Sequence, residues 1–150
     1  MVRRNIPRDT ARAMSQENVE GLRQGLQLWA QQGNRADVFG TEAFDPEIEW
    51  DISAHPLPDW PNTGRGRENL QRYITNYLSN WRDYRAEASE LIDAGNDVVV
   101  VLHEMVGMTG SDIVLERDLH QVWTFRNRVV VGLRVFKTRA QALEAAGLSD

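Results

Sequence analysis

Three residues pair acid–base chemistry with a defined setting: His55, His103 and Glu104. His103 and Glu104 are neighbours inside "DVVVVLHEMVGM", which reads as a strand, so their side chains point to opposite faces. A glutamate turned inward among valines would be desolvated and would hold its proton more tightly, as general acids do. The two form the best catalytic pair to test, yet without a bulge they cannot both serve one pocket. His55 lies between Ala54 and Pro56 in a proline-rich loop, and its charge could switch near neutral pH. Asp51 shares a face with Glu47 and Glu49, away from Trp50 and Ile52, and only a bulge would turn it inward.

Other chemistries are excluded by what the chain lacks. His55, His103 and His120 have no ligand-like spacing, and neither H-E-x-x-H nor an acidic calcium loop occurs, so no metal is expected. The run "GRGR" lacks the Lys-Ser/Thr of a phosphate loop and the buried strand of a dinucleotide fold, so no cofactor is expected either. There is no serine-centred elbow and no cysteine. A net charge of −5 argues against nucleic acid, and no apolar run is long enough for a membrane span. A cytoplasmic location fits the lack of cysteine.

The elements that must position these residues follow from periodicity. Ser15 reads as a helix N-cap, with Val19, Leu22, Leu26 and Trp29 on one stripe and Gly33-Asn34 as the stop. Residues 1–13, with four arginines and one aspartate, read as a flexible extension, leaving one domain over 14–150. A short helix is expected from Ala36 to Phe44, then a half-buried strand through Ile48, Trp50 and Ile52. Leu70, Tyr73, Ile74, Tyr77, Leu78 and Trp81 form the next helical stripe. Four strands joined by short turns follow, and then a small helix with a Thr138/Gln141 capping box and Gly147 at its C′ position. Consecutive hairpins make a mostly antiparallel meander, and strong curvature would let the helices close its concave side: an α+β cone.

The stretches "DPEIEWDISAHPLPDWPNTGRGRENL", "DAGNDVVVVLHE" and "VWTFRNRVVVGLRVFKTRAQALEAAGL" together resemble the SnoaL-like (polyketide cyclase-like) branch of the nuclear transport factor 2-like superfamily, which includes ketosteroid isomerases. That resemblance implies a conical α+β barrel around a deep, largely apolar pocket, in a homodimer formed through the outer sheet face. It places the family's carboxylate base near Trp50, its acid near Gln121, and the His and Asp of some members at Leu133 and Val135. None of these four can ionise. Parity turns Arg117, Leu119, Gln121, Trp123 and Phe125 inward. Buried tyrosine and tryptophan need hydrogen-bond partners, so some of the aromatic residues should meet Gln121 or Arg117. The expected ligand contacts are Trp50, Trp60, Tyr73, Arg117, Gln121 and Trp123, with His55 and Trp60 at or over the mouth.

Two functions stand on this reading. One is a pocket for a hydrophobic or polycyclic small molecule, with no activity assigned. The other is a cofactor-independent isomerase, cyclase or epoxide hydrolase using His55, His103 or Glu104. A dimerisation or scaffold module without a pocket is a third class.

Overall fold

The computed structural model describes residues 8–148. In chain order the elements are α1 (Arg8–Gln31), a 3-10 turn (Ala36–Gly40), β1 (Phe44–Asp51), β2 (Thr63–Arg65), α2 (Arg67–Ser79), β3 (Trp81–Ala94), β4 (Asp97–Met108), β5 (Val114–Arg126), β6 (Val129–Phe136) and α3 (Arg139–Ala145). The six strands form one sheet in the order β2-β1-β6-β5-β4-β3. Only β1 and β6 run parallel, and every other pair is antiparallel.

Turn chemistry sets the registers. Asn127 and Arg128 both adopt positive φ (51° and 66°), the twist a two-residue hairpin needs, and they lock Arg126 opposite Val129. Gly95 at φ 81° does the same work between β3 and β4. With register fixed, Val98, Val100, Leu102 and Glu104 of β4 share the concave face with Leu119, Gln121, Trp123 and Phe125 of β5. Leu22, Leu26 and Trp29 of α1, and Leu70 and Tyr73 of α2, are buried against that face. Each large apolar side chain so buried contributes about 1.5–3 kcal/mol.

Four sequence expectations change in detail. Trp81, expected on the helical stripe of α2, begins β3, since the helix ends at Ser79. Ser15 is no N-cap: the helix runs back to Arg8, because nothing between them breaks it. The Ser15 hydroxyl instead donates within 3.0 Å of the Arg12 carbonyl and Asp93 Oδ2. The extension expected over 1–13 is therefore helical from Arg8, and its residues 1–7 lie outside the described residues. The short helix after α1 ends at Gly40, not Phe44, since Phe44 already begins β1. Finally, α3 is not on the concave side. Its Ala142 and Leu143 pack on Val99 and Val122, the opposite face of the sheet. The α3 cap forms as expected, with Gln141 N–H donating to Thr138 Oγ1 (3.1 Å), and Leu148 closes on Leu143 O (2.8 Å) beyond Gly147 at φ 79°.

Candidate functional site

Glu104 is completely buried on the concave face, directly opposite Arg117 in the β4–β5 ladder. Its carboxylate gathers three donors from three further elements. Arg117 Nε donates at 2.9 Å from β5. Tyr77, on α2, shares its hydroxyl proton between both oxygens at 3.0 Å. Tyr84, on β3, donates to Oε2. Arg117 Nη2 also reaches the Tyr77 oxygen at 2.5 Å, closing the ring. Burial, and then the negative charge of Glu104, push both tyrosines well above the usual phenol range. They therefore remain donors at any physiological pH, and the cluster is satisfied within itself.

Next to this cluster lies a narrow apolar cavity of about 60 Å³. Leu102, Leu119, Leu133 and Val135 of the sheet line it, with Trp29 of α1 and Tyr73 of α2. Two polar groups in it lack a protein partner. Gln121 is 7% exposed; its Oε1 accepts from Trp123 Nε1 at 2.9 Å, while its Nε2 bonds no described residue. His55 Nε2 is buried without a hydrogen bond. Desolvation, and then the charge of Arg117, hold the His55 pKa below 6.5, so the ring is neutral at neutral pH.

The connection carrying His55 is pinned. Asn62 accepts from Tyr73 Oη (2.6 Å) and Leu57 N–H (2.8 Å) on its Oδ1, donates to the Trp60 carbonyl (3.1 Å), and accepts from Ile52 N–H on its backbone (2.7 Å). Gly64 is needed where β2 passes Trp50, since a Cβ there would lie 2.5 Å from the indole. Gly66, at φ 101°, turns the chain into α2.

The sequence candidates thus fall into three groups. His55, Glu104, Tyr73, Arg117, Gln121 and Trp123 come together around the cavity. Trp50 is buried but packs on Tyr73 and β2, outside the lining. Trp60 is 39% exposed and stands edge-on to Tyr73 (6.4 Å), so it is not over the cavity. His103 lies on the convex face, with Nδ1 at 2.8 Å from Asp118 and Nε2 at 3.3 Å from Glu116, and it does not reach the cavity. Asp51 also stays outside, capped by Ser53 Oγ at 2.5 Å. Tyr77, read only as one of the aromatic stripe, and Tyr84, which sequence reasoning missed, complete the cluster. Their signal was the i, i+4 spacing of Tyr73 and Tyr77 on α2, and the inward parity Tyr84 shares with Ala86. Among the described residues no group of three or more His, Asp or Glu side chains is placed to hold a metal, and no helix is long and apolar enough to cross a membrane.

The SnoaL-like domain family matches residues 22–132. Solved structures similar to this chain include a protein from a soil-derived mobile gene cassette, at 19% identity over 81% of this chain and 88% of that one (TM-score 0.65). Another, from Jannaschia sp. CCS1, is assigned as a SnoaL-like polyketide cyclase, at 17% identity over 97% and 96% (TM-score 0.62). A third is an epoxide hydrolase/cyclase-like enzyme in pyran ring formation of the polyether salinomycin, at 17% identity over 79% and 92% (TM-score 0.56). At these identities the likeness concerns the fold. No curated protein sequence matches the chain. The chain belongs to the SnoaL-like domain family and has the cone of the nuclear transport factor 2-like and ketosteroid isomerase-like proteins.

Proposed function

We propose that the cone binds a small, largely hydrophobic molecule whose oxygen-bearing end sits beside Gln121. One observation carries this reading: Gln121, a side chain more than nine-tenths buried, lines a mostly apolar cavity and has an amide N–H without a protein partner. A ligand oxygen could accept from this amide in place of water. The satisfied Glu104–Arg117 cluster serves as a rigid polar wall next to it. Homodimerisation through the part of the convex face that α3 leaves open, and a cytoplasmic location, belong to the same reading. Cyclohexanone, a ring with one carbonyl acceptor, is a suitable probe, titrated by calorimetry and by NMR of the Trp123 indole. Gln121→Leu should weaken binding roughly two- to tenfold, the worth of one neutral hydrogen bond. Leu119→Trp, which fills the cavity, should abolish it. Unchanged affinity in both variants would remove the reading.

An enzymatic reading is favoured by His55, a neutral ring with an unpartnered buried Nε2 at the cavity. Such a group can take a proton from carbon next to a carbonyl. In D2O the protein would then exchange the α-hydrogens of cyclohexanone faster than buffer does, and His55→Gln would not. Equal exchange by the two proteins leaves binding as the function.

A further inference from the structure

The cavity beside Glu104, at about 60 Å³, has room for one end of a ligand, whereas whole-ligand sites begin at roughly 300 Å³. A second cavity of about 310 Å³ lies under α1, between that helix, the start of β1 and the β5–β6 hairpin. Leu26, Trp29, Phe39 and Trp123 line both cavities. The second is lined otherwise by apolar residues such as Leu22, Phe44, Phe125 and Val130, with the Glu17–Arg128 ion pair (2.6 Å) at its edge.

Gly21 and Gly25, one turn apart on α1, also face this space. Glycine is among the poorest residues inside a helix. Neither position requires it on backbone grounds: neither has a positive φ, and a Cβ added at either would meet nothing within 4 Å. Both glycines are exposed, and their missing side chains leave the outer edge of the cavity uncovered.

Resting on the reading of the cone given above, we infer that its ligand is elongated, with the oxygen end beside Gln121 and a flexible apolar tail in the cavity under α1. The class is a long-chain ketone, alcohol or acid rather than a compact polycycle, because the larger room lies under α1 and not around the polar cluster, and a thin chain would pass between the side chains of Trp29 and Trp123 that both cavities share. A tail burying one methylene at a time in this cavity gains about fourfold in affinity per methylene.

The test is a series of 2-alkanones, from 2-butanone to 2-undecanone, titrated into the full chain and into Gly25→Leu. The leucine fills the cavity while improving the helix, so the variant folds; circular dichroism checks this, and Gly21→Leu is the second variant. The expected result is wild-type affinity rising about fourfold per methylene. Gly25→Leu should match the wild type within about twofold for 2-butanone and fall at least about tenfold short for 2-undecanone. If Gly25→Leu and Gly21→Leu keep the full gain to the longest ketone, the tail does not occupy this cavity and only the present inference fails. If no ketone binds the wild type, or Gln121→Leu binds 2-butanone as tightly as the wild type does, the reading of the cone fails as well.

Discussion

Strands β4 and β5 use the same cross-strand step twice, with opposite consequences. Glu104 faces Arg117 on the concave side, and one residue earlier His103 faces Asp118 on the convex side. Both are pairs of a carboxylate and a nitrogen base at hydrogen-bond distance, 2.9 and 2.8 Å. The inner carboxylate is fully buried and held by three side chains, of which Arg117 is 37% exposed, while in the outer pair both side chains are open to water, 33% and 51% exposed. Identical pairing chemistry therefore does different work. Inside, the buried Glu104 carboxylate depends on its donors, whereas the part-exposed Arg117 can turn to water. Outside, solvent screens the pair, and it tunes the proton affinity of a histidine and little else.

The largest expected effect comes from breaking the inner pair. Arg117→Ala leaves Glu104 buried and uncompensated, and should lower unfolding stability by about 3–5 kcal/mol in urea titrations. Tyr84→Phe removes one donor to that carboxylate and should cost about 1.5–3 kcal/mol. His103→Ala, on the outside, should shift the denaturation midpoint far less than either inner variant. A loss from His103→Ala comparable with that from Arg117→Ala would dissolve the contrast.

A finer difference is the sign of the pH response. Hydrogen bonds to Asp118 and then Glu116 raise the His103 pKa above 6.5. Its contribution to stability is fully present below 6.5, and is lost as pH rises through that raised value. His55 is the reverse case, its pKa lowered chiefly by burial. The unfolded chain takes up the proton first, so stability is lost as pH falls from 6.5 toward the lower folded value. NMR titration should place the two midpoints on opposite sides of 6.5. His55→Gln should flatten the acid-side loss, and His103→Gln the alkaline-side one.

Much of this arrangement is legible in the sequence. Alternation along "IVLERDLHQVWTF" assigns Arg117, Gln121 and Trp123 to the inner face, and buried tyrosine and tryptophan were expected to seek Gln121 or Arg117. Both contacts form, Tyr77 with Arg117 and Trp123 with Gln121. Alternation alone does not say which of His103 and Glu104 points inward; the register set by the β4–β5 hairpin does. It also cannot bring Tyr77 of α2 and Tyr84 of β3 to one carboxylate, since that convergence is tertiary. The loop misled for a similar reason. Two tryptophans and a histidine in "WDISAHPLPDW" look like one cluster, but Asn62 fixes the turn so that only His55 meets the cavity, while Trp60 faces solvent.

The most direct measurement is a crystal structure of the protein with 2-undecanone bound. The expected density places the ketone oxygen within hydrogen-bond distance of Gln121 Nε2 and the alkyl chain past Trp29 and Trp123 beneath Gly21 and Gly25. Density for the ketone only on the outer surface, with the space around Gln121 unchanged, would contradict the assignment of the cone as the binding site.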